Sequence, residues 1–167
     1  MKCIGNYASW INPEWIKYMS SNTGYSHPRL DPTEYGHRNQ ETLQRVKQFG
    51  KDVLWHNFEP DNFPFVVDLP VKTTGRADWW FVKLLTGDLL PFHSDHPPRD
   101  SCEGKKARRF WMPLQDYVEG HIFIVCGDLI KDYSAGDLFE YDPDGRHGGV
   151  NLNLDVPRYT LNFALYE

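Results

Sequence analysis

The sequence predicts a mainly β protein, a sandwich or barrel carrying an N-terminal helical layer. Three observations predict it. After Gly50 the chain breaks into short runs rich in aromatic and β-branched residues. Its 13 glycines and 12 prolines are spread along the chain and punctuate those runs. The last run alternates, with Tyr159, Leu161, Phe163 and Leu165 on one face and Arg158, Thr160, Asn162 and Ala164 on the other.

In order, "NPEWIKYMS" predicts a short helix: Asn12 is the N-cap, Pro13 the first helical residue, and Glu14 sits near the positive end. Residues 20–37 are crowded with turn formers and read as loop. "NQETLQRVKQFG" predicts a second helix, with Leu43, Val46 and Phe49 on one stripe and Gly50 as its stop. Seven strand candidates follow: "FPFVVDLPV", "DWWFVKLL", "LLPFHSD", "RFWMPLQ", "GHIFIVCG", "GDLFEYD" and "RYTLNFALYE". The expected organisation is one domain over 1–167, a helical and loop layer over 1–60 and a β core over 61–167.

Composition excludes several classes. A net charge of -5 argues against a general nucleic-acid binder. The one basic run, "GKKARRF", reads as a solvated loop. Cys3, Cys102 and Cys126 are odd in number and widely spaced, which fits neither a disulfide framework nor a zinc knuckle. A reducing compartment follows, and with neither a signal-peptide core nor a membrane-length apolar run, the expectation is a soluble cytoplasmic protein.

"PFHSDHPP" is the stretch that carries chemistry. An H-x-D triplet arises by chance on the order of once in a chain like this, so the triplet alone says little. Its place says more. His93 and Asp95 are i and i+2 at the end of an apolar strand, so both side chains leave the same face. A nitrogen and oxygen pair of this kind suits Fe(II), Mn(II) or Zn(II). His96 faces away. His27 and His37 sit in the polar loop, His56 precedes the β region, and His121 opens an apolar strand and reads as structural. His147, in the turn "DPDGRHGGVN", is the best third ligand, with room for several strands to return it to His93. Arg158 heads the small polar face of the last strand, where a cation could anchor a carboxylate near the metal.

This constellation resembles the HxD…H…R signature of Fe(II)/2-oxoglutarate-dependent oxygenases. "GDLLPFHSD", "RRFWMPLQ", "GHIFIV", "AGDLFEYD", His147 with Asn151, and "PRYTLNF" follow one another as in the small aspartyl/asparaginyl β-hydroxylase-like members, compact forms of which occur in bacteria and phages. The match covers about residues 78–167. The resemblance implies a double-stranded β-helix, a cupin-like jelly roll with N-terminal supporting helices. It implies that His93, Asp95 and His147 hold the metal, and that Arg158 binds 2-oxoglutarate with hydroxyl help from Thr160. Asn151 and Arg109 are further candidates for the cosubstrate; alternation sends one of Arg108 and Arg109 inward. The implied cofactors are Fe(II), 2-oxoglutarate and O2, with ascorbate as an accessory reductant, and the implied products succinate and CO2. Because Asp95 is a carboxylate and not a small residue, hydroxylation is favoured over halogenation.

Two rivals fit the same residues: a zinc or manganese hydrolase or isomerase on a cupin-like fold, and a non-catalytic, ligand-sensing jelly roll. The prime substrate is not written in the sequence. A small molecule or a single exposed side chain suits so compact a chain. Residues 97–107 form a basic, glycine-containing loop that suits a lid.

Overall fold

A computed structural model describes residues 1–27, 55–94 and 107–167. The expected helix over 39–50 lies outside them, as do Asp95, His96, Cys102 and most of the 97–107 loop.

The chain opens with β1 (Lys2–Asn6), a 3-10 turn (Ala8–Trp10) and α1 (Pro13–Ser21). Next come β2 (Tyr25–His27), β3 (Trp55–Phe58), β4 (Arg76–Leu84), β5 (Leu89–His93) and β6 (Ala107–Pro113). The C-terminal part holds β7 (His121–Val125), β8 (Asp128–Ile130), β9 (Asp137–Tyr141), β10 (His147–Asn151) and β11 (Arg158–Tyr166). They build a seven-stranded sheet in the order β1-β9-β6-β11-β4-β3-β2 and a four-stranded sheet in the order β5-β10-β7-β8. Every pairing described is antiparallel. Strands β4, β6, β9 and β11 lie in the large sheet and β5, β7, β8 and β10 in the small one. That interleaving is a jelly roll, the double-stranded β-helix.

Strand β11 is buried along its whole length, because each face meets a different layer. Tyr159, Leu161, Phe163 and Leu165 join the main core with Trp15 and Met19 of α1 and with Phe58, Phe63, Phe81, Phe110 and Met112. Helix α1 begins as its sequence requires: the Asn12 side chain accepts from the Glu14 amide at 3.0 Å, and Pro13 follows the cap. Its other end is tied down by the buried Lys83 ammonium, which donates to the carbonyls of Met19 (2.8 Å) and Asn22 (2.5 Å). Burial holds that ammonium below the usual lysine range.

Three expectations change. "FPFVVDLPV" is not a strand. With Pro60, Pro64 and Pro70 in or beside it, the run cannot donate a continuous ladder. It packs as irregular chain instead, with Phe63 and Leu69 in the core and Val66 94% exposed. The N-terminal layer also supplies β1, β2 and β3, so the large sheet reaches into the segment read as helix and loop. And "RHGGVN" is not a turn but β10, paired on both sides. Its glycines disguise it.

Truncation at two neighbouring positions tests the alternation of β11. Leu161→Ala empties a site in the main core and is expected to cost about 2–5 kcal/mol in denaturant unfolding, whereas Thr160→Ala, on the opposite face, should cost under half as much.

Candidate functional site

Strands β5 and β10 pair so that His147 lies opposite His93. Their rings stand 4.3 Å apart between centroids. Each ring is aimed by its own strand: Nδ1 of His93 donates to the Pro91 carbonyl at 2.7 Å, and Nδ1 of His147 to the Gly145 carbonyl at 3.2 Å. A carbonyl only accepts, so the proton of each neutral ring sits on Nδ1 and the lone pair on Nε2. This is the tautomer and the backbone support expected of metal-binding histidines. Among the described residues no group of three or more His, Cys, Asp or Glu converges. Asp95, the expected third ligand, lies outside the described residues.

Aromatic side chains wall the histidine pair. The Tyr141 ring meets His147 at 5.2 Å and the Phe123 ring meets it at 6.3 Å. Trp111 stacks on Phe123 at 4.4 Å with an interplanar angle of 16°. All three come from inward positions of β6, β7 and β9.

Arg158 lies on the same inner surface, fully buried. Its Nη1 donates to the Ile122 carbonyl at 2.5 Å, and its Cζ lies 5.7 Å from the Phe123 ring centre. The neighbouring Gly149 makes room for it: a Cβ there would come within 2.6 Å of Nη2. Its Nε has no hydrogen-bond partner, and desolvation lowers the guanidinium to a pKa of about 10. Tyr133, in the segment after β8, is also buried, and its hydroxyl is likewise without a partner. Burial pushes that phenol up to about 12, partly offset by Arg158. Thr160, next along the inner face, accepts from Asn162 at 3.3 Å and keeps a hydroxyl proton to give. Orphaned buried donors around a buried cation are the chemistry of an anion site.

The remaining expected residues separate. Arg109 is buried and inward, while Arg108 pairs with Glu140 through bonds of 2.8 and 3.1 Å on the other side. Arg109 lies opposite Ala164 on β11 and Tyr141 on β9. It is thus roughly 20 Å along the strand from Arg158 and belongs to the Tyr141 side of the interior. Asn151 is a structural residue: its amide donates to the Leu84 and Val156 carbonyls, both at 3.0 Å, and its oxygen accepts from Asn153. Both of its amide donors are thus spent on backbone carbonyls. His56 is buried elsewhere, 3.8 Å from Asp88.

Sequence reasoning missed Tyr133 and Gly149. Tyr133 lies between strands, where no periodicity marks it. Gly149 reads as turn glycine, and only the guanidinium beside it gives its reason.

No protein-family model matches the chain, and no curated protein matches it. Solved structures with a similar course include a cupin domain of an XRE-family transcriptional regulator from Enterobacter cloacae, at 12% identity over 68% of this chain and 98% of that one, TM-score 0.47. A cupin protein from Bacteroides fragilis is 21% identical over 56% of this chain and 68% of that one, TM-score 0.40. A predicted oxalate decarboxylase from Thermotoga maritima is 16% identical over 54% of this chain and 66% of that one, TM-score 0.40. Among the described residues no helix is long and apolar enough to cross a membrane.

Two outcomes test this geometry. Gly149→Ala should displace the guanidinium and lower the unfolding midpoint, since the new methyl has Arg158 and the Ile122 carbonyl at 2.6 and 2.8 Å. Burial also holds His56 and His121 below the ordinary histidine value of 6.5. The unfolded chain therefore takes up protons that the folded one refuses, so stability is complete above about pH 6.5 and falls as pH drops below it. Chemical denaturation at pH 7.5 and 5.5 should give the lower midpoint at 5.5.

Proposed function

We propose that the protein is an Fe(II)- and 2-oxoglutarate-dependent dioxygenase that hydroxylates an unactivated C–H bond and releases succinate and CO2. One observation carries this reading. A histidine pair with both Nδ1 atoms committed to backbone carbonyls shares an inner surface with a fully buried arginine whose Nε is unsatisfied.

His93 and His147, with Asp95, would hold the metal through the ring nitrogens turned away from the backbone. When bound, Fe(II) and 2-oxoglutarate supply the oxidising chemistry with O2. The chain's own part is positioning. Arg158 receives the far carboxylate in a dry interior, where a charge-assisted bond is strong. Tyr133 and Thr160 add hydroxyl donors. Trp111, Phe123 and Tyr141 exclude water from the space beside the histidines. The substrate is a small molecule or an exposed side chain, and Arg109, on the Tyr141 side, suits an anionic group on it.

Anaerobic titration of the apoprotein with Fe(II) and then 2-oxoglutarate tests the reading. The expected result is a visible charge-transfer band that needs both additions. Metal bound with no such band would overturn the reading in favour of a zinc or manganese hydrolase; no metal bound would overturn both. His147→Ala should abolish Fe(II) affinity. Arg158→Gln should keep it and weaken 2-oxoglutarate by about tenfold to a hundredfold, the size of a lost charged hydrogen bond.

A further inference from the structure

His121 opens β7 on its inward face and is 1% exposed. Its Nε2 donates to the Val156 carbonyl at 3.0 Å. The proton of the neutral ring is therefore on Nε2, and Nδ1 presents a bare lone pair. That Nδ1 is buried with no hydrogen-bond partner. Arg158 is anchored on the carbonyl of the very next residue, Ile122, and lies over Phe123, the next inward residue of β7.

Three orphaned polar atoms thus sit on groups that surround one cation, since the charge of Arg158 bears on both Tyr133 and His121: Arg158 Nε, the Tyr133 hydroxyl and His121 Nδ1. The first two can donate to a carboxylate at once. The third can only accept, and a lone pair facing a carboxylate repels it. One added proton turns that repulsion into a charge-assisted hydrogen bond.

We propose that His121 is a binding residue of the Arg158 anion site and takes up one proton from solvent when a dicarboxylate docks there; this rests on the 2-oxoglutarate reading above. In the ligand-free protein two effects keep the ring neutral, burial first and then the charge of Arg158, opposed by the Val156 carbonyl. A bound carboxylate cancels the second and adds attraction. Among the described residues packed beside it, no other group supplies the charge. Asn151, its partner on β10, is neutral, Tyr133 stays protonated, and Glu119 and Asp155 on the flanking loops are exposed. Linkage then makes affinity rise as pH falls, by up to tenfold per pH unit between the free and the bound pKa.

Calorimetry of 2-oxoglutarate binding tests this, with Zn(II) present throughout so that His93 and His147 do not titrate. Each titration is run at pH 6.5 and 8.0 in two buffers of different ionisation enthalpy. The wild type should take up close to one proton at pH 6.5 and bind several-fold more tightly than at pH 8.0. His121→Gln, whose amide can still donate to Val156, should bind with no uptake and little pH dependence. Equal uptake by both proteins, or none by the wild type, overturns the proposal and leaves the cosubstrate reading standing. Failure of 2-oxoglutarate to bind at either pH overturns both. Should His121→Gln not fold, nitrogen-15 histidine spectra of the wild type decide: conversion of His121 to imidazolium on adding 2-oxoglutarate supports the proposal, and an unchanged neutral tautomer overturns it.

Discussion

The structure depends on one strand being buried on both sides for two different reasons. Strand β11 runs through the large sheet between β4 and β6, and none of its nine residues reaches solvent appreciably. Its apolar face closes the core under α1. Its other face begins with an arginine. A buried guanidinium is expensive unless its donors are met, and here the Ile122 carbonyl and the Phe123 ring meet it only in part. The fold carries that cost because the apolar face of the same strand is so heavily packed.

From that constraint the rest of the interior follows. The guanidinium needs space, so β10 carries Gly149 where it passes. Gly148 and Gly149 bring no side chains to pack, and the backbone of β10 is pinned there from both neighbours, β5 and β7. The pairing with β5 sets His147 opposite His93. Further along, the amide of Asn151 fastens β10 to the ends of β4 and the β10–β11 loop. The arginine, the glycine, the histidine pair and the asparagine are therefore one mechanical unit. Asn151 serves it by holding backbone in place.

Much of the fold was legible because it rests on periodicities that local sequence expresses. Six of the seven expected strands formed, and the alternation of β11 divided its faces as expected. Alternation likewise sent one of Arg108 and Arg109 inward, though that it is Arg109 came from the register with β11. The failures have physical causes. Prolines stripped donors from "FPFVVDLPV", although its composition reads as strand. β10 looked like a turn because glycine is selected there by a neighbour distant in sequence. β1, β2 and β8 are short and owe their form to the strands beside them.

The sequence by itself determined which residue types were on offer: an H-x-D pair at a strand end, a later histidine, an arginine heading a small polar face, and the order in which they occur. Those are properties of strands, and strands announce themselves through period two. Only the tertiary structure decided which donors are met and which are left over. It spent the amide of Asn151 on carbonyls, turned both histidine Nδ1 atoms to their own backbone, and left Arg158, Tyr133 and His121 each with an unmatched atom. Hydrogen-bond satisfaction is settled between residues many positions apart, by register and burial, and no local pattern encodes it.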